Sequence, residues 1–408
     1  MIHILMSRVT IFGGAGAMCA SAVYDLHKTS KFDEFIIADV DEESAKHMIN
    51  VVLERDERFK FVKADLRDKN VISKLLRQSE YFIQAAPFTV ERPFLEALME
   101  NSNLVGVDLN AFDFDYVLSL SPKLAEKNIT LWFGNGGLVI TSSLALMGLM
   151  EVDEAEEVNI YWGMWRPLTF TTKGLTATIF YELDPTIKER IVWEEGRLRA
   201  LPPFAFMKEF TYPEPIGKVI NYVLAHTEPI TLPYSELVKE KKVKRIIARG
   251  AWHPSWINLI KALIEAKVFE AEPIIINGKK VRPIDIVIDS IPAESEFRDP
   301  YEIAKSIGFN PTVILSAEII GYRKGVGRRI VYHNIPPYPF FGGKPVRAMW
   351  EYGSYVGTTL SITLQLMIQH EIYKTKKGVF FMETSGLSPQ LVLEELRKRG
   401  FKTIKEEY

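Results

Sequence analysis

The chain has 408 residues, 47% of them hydrophobic and 25% charged, with a formal net charge of -2. That length is enough for two cores, because single cores stop growing near ~250–300 residues, and the near-zero charge excludes a global pull toward nucleic acid or an anionic membrane. The single cysteine, Cys19, excludes a disulfide framework and a cysteine-cluster metal site and fits a reducing, cytoplasmic setting, while no run approaches the ~18–20 apolar residues of a membrane helix.

Met1 to Met6 is too short for a secretory signal and leads directly into a strand; Met6 is a second candidate initiator. Scarce glutamine beside plentiful lysine, glutamate and isoleucine leans toward a thermophile. Arg8–Phe12 reads as the first strand, a glycine turn follows, and Ala17–His27 has helical spacing. Further strands are read at Phe35–Ala38 before Asp39, Phe61–Val62 before Ala64-Asp65, Tyr81–Ala86 before Pro87, Leu104–Val107 before Asp108, and Thr130–Phe133 before Gly134. Helices fall between them, at Glu91–Glu100 and Tyr116–Glu126. Short apolar strands alternating with helices predict an α/β fold with a doubly wound parallel sheet, a Rossmann domain over 1–135.

Over 136–344 strands are read at Glu157–Trp165, Leu168–Phe170, Thr178–Tyr181, Val219–Ala225 and Thr312–Arg323, with a hairpin at Val192–Leu201 turning on Glu195-Gly196. A helix is read at Ser255–Lys267. This predicts a second, α+β domain with a largely antiparallel sheet. Residues 345–408 return to helical spacing in Gly357–His370 and Pro389–Gly400, and are expected to pack back on the first domain.

Gly14-Ala15-Gly16-Ala17-Met18-Cys19 matches G-x-G-x-x-G, with Cys19 in the last place. Gly14 is read as the tight turn and Gly16 as the point of close approach to a pyrophosphate. Cys19 is read as the small residue that lets the helix pack on the strand. The helix start at Ala17 and Met18 then offers N–H groups to phosphate charge. Asp39, ~20 residues on, suits a ribose 2′-OH and repels a 2′-phosphate. Val40, Asp41, Glu42 and Glu43 follow without an Arg or Lys, so NAD(H) is favoured over NADP(H). Asp65 is either an adenine contact or a solvated carboxylate opening a loop. Ala85-Ala86-Pro87 either passes close to the cofactor or is an ordinary strand end.

These residues resemble the saccharopine dehydrogenase-like family, which includes lysine 6-dehydrogenase. The likeness is carried by VTIFGGAGAMCASAVYDL, ADVDEE, VKADLRD, AAPF and VGVDLN in the first domain. Beyond it, FTTKGLTATIFYELDP, GRLRALPP, HTEPITLP and the tail LSPQLVLEELRKRGF are similar to family segments. The resemblance implies a Rossmann domain joined to a substrate-binding and dimerisation domain, hence a homodimer. It also implies NAD(P)-dependent chemistry at the C–N bond of an amino acid or amine. The chain departs from the family at Gly134–Ser143, where GNGGLVITSS replaces a Gly-x-x-Pro-Gly-like turn, and near Gly353, where a family proline is absent.

Such chemistry needs orientation, water exclusion and a proton carrier. Asp108 is a candidate to hold an ammonium or accept a proton, or else a turn cap. His226 is a candidate titrating near neutrality, or else a structural hydrogen-bonder beside Thr227 and Glu228. Lys173 is a candidate partner for a substrate carboxylate, or else a solvated turn lysine; Arg166 and Arg249 are further candidate clamps. Seven scattered histidines without an i, i+4 pair predict no metal. The basic run Lys239–Arg245 lacks interleaved aromatics and reads as a solvated loop, not a nucleic-acid contact. The alternative to an enzyme is a non-catalytic NAD-binding sensor or assembly subunit on the same fold, suggested by the altered GNGGLVITSS turn.

Overall fold

The computed structural model describes residues 7–111, 113–187, 190–202, 204–293, 297–345 and 350–408. The opening Met1–Met6 segment and Pro203 of the GRLRALPP segment lie outside them. Eighteen strands run through the described residues. They are β1 (Arg8–Phe12), β2 (Glu34–Asp39), β3 (Phe59–Lys63), β4 (Tyr81–Gln84), β5 (Val105–Asp108), β6 (Thr130–Trp132), β7 (Glu154–Trp165), β8 (Ile191–Glu194) and β9 (Arg197–Ala200). After them come β10 (Lys208–Thr211), β11 (Lys218–Val223), β12 (Arg245–Trp252), β13 (Ile274–Ile276), β14 (Lys279–Val281), β15 (Thr312–Arg323), β16 (Val326–Ile335), β17 (Gly378–Phe380) and β18 (Lys402–Glu407). The chain divides into two units: residues 1–140, 340–344 and 352–399, and residues 141–339, 345–351 and 400–408.

The first unit holds a seven-stranded parallel sheet in the order β17-β6-β5-β4-β1-β2-β3. Its strands are short and apolar on both faces, with Val9, Ile11, Ile37, Phe82, Ile83, Val107 and Leu131 almost fully buried, as a sheet covered by helices on both sides requires. Strand order reverses between β1 and β4, and the carboxyl ends of strands at such a reversal open a crevice for ligands. The edge strand β17 was not foreseen from sequence; a three-residue run, Gly-Val-Phe, has too little periodicity to read.

The helix that follows the glycine turn spans Ala20–Thr29, three residues later than the spacing suggests, because Ala17, Met18 and Cys19 form a turn before it. The helix Trp350–Gln369 belongs to the same packing. Gly353 and Gly357 lie one turn apart on it. A Cβ on Gly353 would stand 2.3 Å from Ala17 O, and one on Gly357 would stand 2.5 Å from Met18 O and 2.2 Å from Ser21 Oγ. Ser21 Oγ donates to Gly353 O across the contact. Close by, Arg399 Nε and Ser361 Oγ each donate to the Asp25 carboxylate at 2.6 Å, so this nearly buried charge is paired and hydrogen-bonded.

The second unit holds a nine-stranded mixed sheet whose path runs β10-β11-β12-β7-β15-β16-β18, with β8 and β9 attached at β12. Only β12 and β7 run parallel along that path. Tyr161 stacks on Phe210 at 3.8 Å between ring centres, in a core with Tyr212, Ile216, Ala251, Ile314 and Val331. The hairpin β8–β9 turns on Glu195 and Gly196, both at positive φ, as the tight turn of a twisted hairpin requires.

Two strand readings are corrected here. Leu168–Phe170 is a turn, and Thr178–Tyr181 lies inside a helix, Lys173–Leu183. Leu175, Ile179, Phe180 and Leu183 recur at helical spacing and are buried, and Thr172 Oγ1 caps the start by accepting from Leu175 N at 3.2 Å. The β-branched residues between them disguise that period. Tyr116–Glu126 is two helices, Phe114–Ser119 and Ser121–Glu126, with Pro122 at the start of the second.

Gly357→Ala tests the glycine notch. Alanine favours a helix by about 1 kcal/mol, but the new methyl meets backbone, and overpacking costs about 1–3 kcal/mol or more. A net loss of about 2 kcal/mol in urea unfolding is expected; an unchanged or raised midpoint would show that the helices separate freely.

Candidate functional site

The turn after β1 is shaped by Gly13 more than by Gly14, the residue that the motif places at the tight turn. Gly13 sits at φ 72°, and a Cβ there would lie 2.8 Å from Ala86 N. Gly14 is needed for packing, since its Cβ would crowd Ile11 and Ile37 at 3.0–3.2 Å. Gly16 is exposed at the tip. The turn closes with Gly16 N donating to Gly13 O at 3.1 Å and Cys19 N to Gly16 O at 3.1 Å. The main-chain N–H groups of Ala17 and Met18 take no acceptor among the described residues. Two adjacent unpaired donors at a helix entrance form a ready anion site. Cys19 is fully buried, and burial pushes its thiol up, so it is a packing residue here.

Asp39 ends β2 and reaches back to this turn. Its Oδ2 accepts from Ala15 N and its Oδ1 from Asp41 N, both at 3.0 Å. Burial raises its pKa against these hydrogen bonds. In the next strand, Lys63 lies directly beside Asp39 in register and approaches Glu42 at 4.0 Å. A cation at that place was not legible in the residues following Asp39, because strand pairing brings it there. Asp65 is exposed and held by Arg67, whose Nε and Nη2 donate at 2.9 and 2.6 Å and lower its pKa to about 2. Ala86 and Pro87 close the other side: Ala86 N donates to Gln84 Oε1 at 3.3 Å, and Ala86 O accepts from Asn110 Nδ2 at 3.3 Å.

Asp108, at the end of β5, is completely buried. Burial first, and then the neighbouring Glu91 carboxyl, push its pKa well above the ordinary carboxylate range. Glu91 is raised too, again chiefly by burial. Asn110 joins the pair, with its N donating to Asp108 Oδ1 at 2.9 Å and its Nδ2 to Glu91 Oε2 at 2.6 Å. Two carboxyls so close cannot both ionise. Asp108 O also accepts from Asn135 N at 2.7 Å, which ties β5 to the GNGG turn. There Gly136 stands at φ 154° with room for no Cβ against Leu109 Cδ1, 2.9 Å away. Glu91 and Asn110 were missed from sequence; nothing in their local spacing announces them.

In the second unit, His226 Nδ1 is hydrogen-bonded to Glu228 Oε2. The other carboxylate oxygen of Glu228 accepts from Thr141 Oγ1 at 2.9 Å and Trp162 Nε1 at 2.8 Å. The Trp162 ring packs on the imidazole with centroids 4.4 Å apart. Burial works against a charged His226, yet Glu228 outweighs it and the imidazole pKa is raised. With Nδ1 held by a carboxylate, Nε2 is left as the reactive nitrogen.

Lys173, read as a partner for a substrate carboxylate or else as a solvated turn lysine, is bonded to main chain. Its Nζ donates to Asp289 O at 2.5 Å and Ile291 O at 2.8 Å, where it satisfies the end carbonyls of the helix Pro283–Ser290. Arg249 likewise spends its Nε on Phe206 O and its Nη1 on Asn159 Oδ1. Arg166 is buried, with Nη1 donating to Phe170 O at 3.0 Å.

The carboxyl pair gives a pH signature. Between the ordinary carboxylate range and the raised values the folded protein holds more protons than the unfolded chain, so stability falls as pH rises. Asp108→Asn is expected to flatten that slope in urea unfolding between roughly pH 5 and 8; an unaltered slope would mean that the pair does not share its proton.

Residues 9–131 match the family model described as Saccharopine dehydrogenase NADP binding domain. No curated protein sequence matches the chain. Among solved structures, the chain is similar to an apo saccharopine dehydrogenase (L-Glu forming) from Saccharomyces cerevisiae, at TM-score 0.67 and 13% identity, covering 98% of this chain and 100% of that one. A gentamicin A biosynthesis protein in complex with NAD aligns at TM-score 0.42 and 9% identity, covering 98% and 96%. A Clostridium difficile dehydrogenase aligns at TM-score 0.39 and 9% identity, covering 97% of each chain. Residues 9–131 are thus a saccharopine dehydrogenase-type NAD(P)-binding domain, and the chain is saccharopine dehydrogenase-like in fold over nearly its whole length.

Proposed function

We propose that the protein is an NAD(P)-dependent oxidoreductase acting on the C–N bond of an amino acid or amine. The observation that carries this reading is the glycine turn at the strand-order reversal, with the unpaired N–H groups of Ala17 and Met18 and with Asp39 behind it. When bound, the nicotinamide cofactor supplies the hydride exchange. Ala17 and Met18 hold the pyrophosphate, and the Asp39 carboxylate takes the ribose hydroxyl. Ala86 and Pro87 bring main chain close beside the turn. Asp108 acts through Asn110 and the Ala86 carbonyl, fixing the β4 and β5 ends, and is too deeply buried to touch substrate. His226 carries the proton of the amine on Nε2, with Glu228 orienting the ring.

Asp39 and the acidic residues after it support NAD(H). The description of the matching family model names NADP, and Lys63 beside Asp39 is the residue that a 2′-phosphate would use. Fluorescence titration separates the two. The expected result is NADH binding at least about tenfold tighter than NADPH, with Asp39→Ser narrowing the ratio. Tighter NADPH binding by the unaltered chain would move the ribose end to Lys63.

Activity is tested with amino acids plus NAD+, and with 2-oxo acids, amines and NADH. His226→Gln is expected to lower kcat by about 10²-fold with little change in KM. For amine oxidation the base must be neutral. Because Glu228 holds the imidazole proton to higher pH, the acid limb of kcat/KM should lie above that of an ordinary histidine. NADH binding without turnover across the panel would support the rival reading of a cofactor sensor or assembly subunit.

A further inference from the structure

Residues 271–280 are exposed throughout, and they carry nearly all of β13 and β14, which form a two-stranded sheet of their own. Its register sets Ile274 beside Val281, Ile275 beside Lys280 and Ile276 beside Lys279, around an Asn277-Gly278 turn at φ 49° and 78°. Two positive φ values make this the two-residue turn that suits the twist of a hairpin. Ile274, Ile275 and Ile276 are 46, 64 and 40% exposed, so a run of three β-branched apolar residues lies in water. A lone hairpin is marginal in water and gains stability from further strands or a covering face. The base of this one is fixed. Ile284 is buried in the helix Pro283–Ser290, and Lys173 holds the end carbonyls of that helix.

The two edges of this sheet differ. β14 carries Lys279 and Lys280, charges that discourage pairing, whereas β13 carries only isoleucine. A two-residue turn closes on a hydrogen-bonded pair, here Ile276 and Lys279, and bonded and non-bonded pairs alternate along an antiparallel ladder. Ile275 and Lys280 are therefore a non-bonded pair, and the N–H and C=O of Ile275 point out from the free edge of β13. They have no other partner among the described residues. A copy of the same strand, laid antiparallel with Ile275 opposite Ile275, satisfies both groups with the same two groups of the partner. Ile274 then lies opposite the partner's Ile276. Four isoleucines gather on one face of a continuous four-stranded sheet, and the two Ile275 side chains meet on the other. Charge fits the same arrangement. Glu272 stands at the open end of the hairpin and Lys279 at its turn, and neither has an ion-pair partner among the described residues. In the antiparallel pair the open end of one copy meets the turn of the other, twice. We infer that β13 is the edge at which a second copy of this chain joins, as an isologous two-fold pair. The self-matching backbone and the reversed order of charge select a second copy over an unrelated extended peptide.

Sedimentation of the full chain between roughly 1 and 100 µM is expected to show a reversible monomer–dimer equilibrium. Ile275→Lys sets like charges face to face on the two-fold axis and should raise the dimer Kd at least about tenfold. Ile275→Pro removes the outward N–H, leaves the bonds between β13 and β14 in place, and should act in the same direction. Glu272→Lys and Lys279→Glu should each weaken the dimer about threefold, and the double variant should recover most of that loss. Every altered side chain is exposed, so circular dichroism of each variant at low concentration should match the unaltered chain. An unaltered chain that stays monomeric at about 100 µM overturns the inference and assigns the edge to a different partner. A dimer that Ile275→Lys leaves unchanged also overturns it and places the contact on another surface. Loss without recovery in the double variant overturns the antiparallel register.

Discussion

The first unit depends on main chain packing directly against main chain around the glycine turn. Gly13 allows the turn to lie on Ala86, and Gly353 and Gly357 allow the helix Trp350–Gln369 to lie on Ala17 and Met18. These contacts leave no room for side chains, so the turn is gripped from both sides. Its two free N–H groups are thereby held at fixed positions before any ligand arrives, which reduces the ordering cost of binding.

Buried carboxyls are handled in two ways. Asp108 and Glu91 are linked through Asn110; burial raises both pKa values, and the Glu91 carboxyl raises that of Asp108 further. Glu228 keeps its charge because His226, Thr141 and Trp162 all donate to it. Glu318, at the centre of the second sheet, is fully paired as well: Asn159, Tyr161, Lys208 and Arg329 donate to it at 2.6–3.0 Å.

Legibility followed the range of the interaction. The parallel sheet was readable in six of its seven strands, β1 to β6, because each is a short, largely apolar run closed within three residues by a Gly, Pro or Asp. Asp39 was readable because its separation from the glycine turn is set by one βαβ unit. The helix Lys173–Leu183 was misread where threonines and isoleucines break up the apolar period, and β17 was too short to show one. The departures from family pattern at Gly136 and Gly353 are close-packing positions, with Leu109 and Val356 over the first and Ala17 over the second.

By itself the sequence determined that a nucleotide-binding βαβ unit opens the chain, since its turn, helix and acidic strand end are neighbours along the backbone. The tertiary structure decided which side chains are free to act. Lys173 and Arg249 carry the charges a clamp would need, but each spends donors on oxygens distant in the chain, Asp289 and Ile291 for the first and Phe206 and Asn159 for the second. His226, unremarkable in its own loop, has an oriented imidazole because Glu228, which bonds its Nδ1, is anchored from Thr141 and Trp162, 85 and 64 positions before His226 in the chain. Hydrogen-bond saturation is a sum over all neighbours in space, and no local pattern records it.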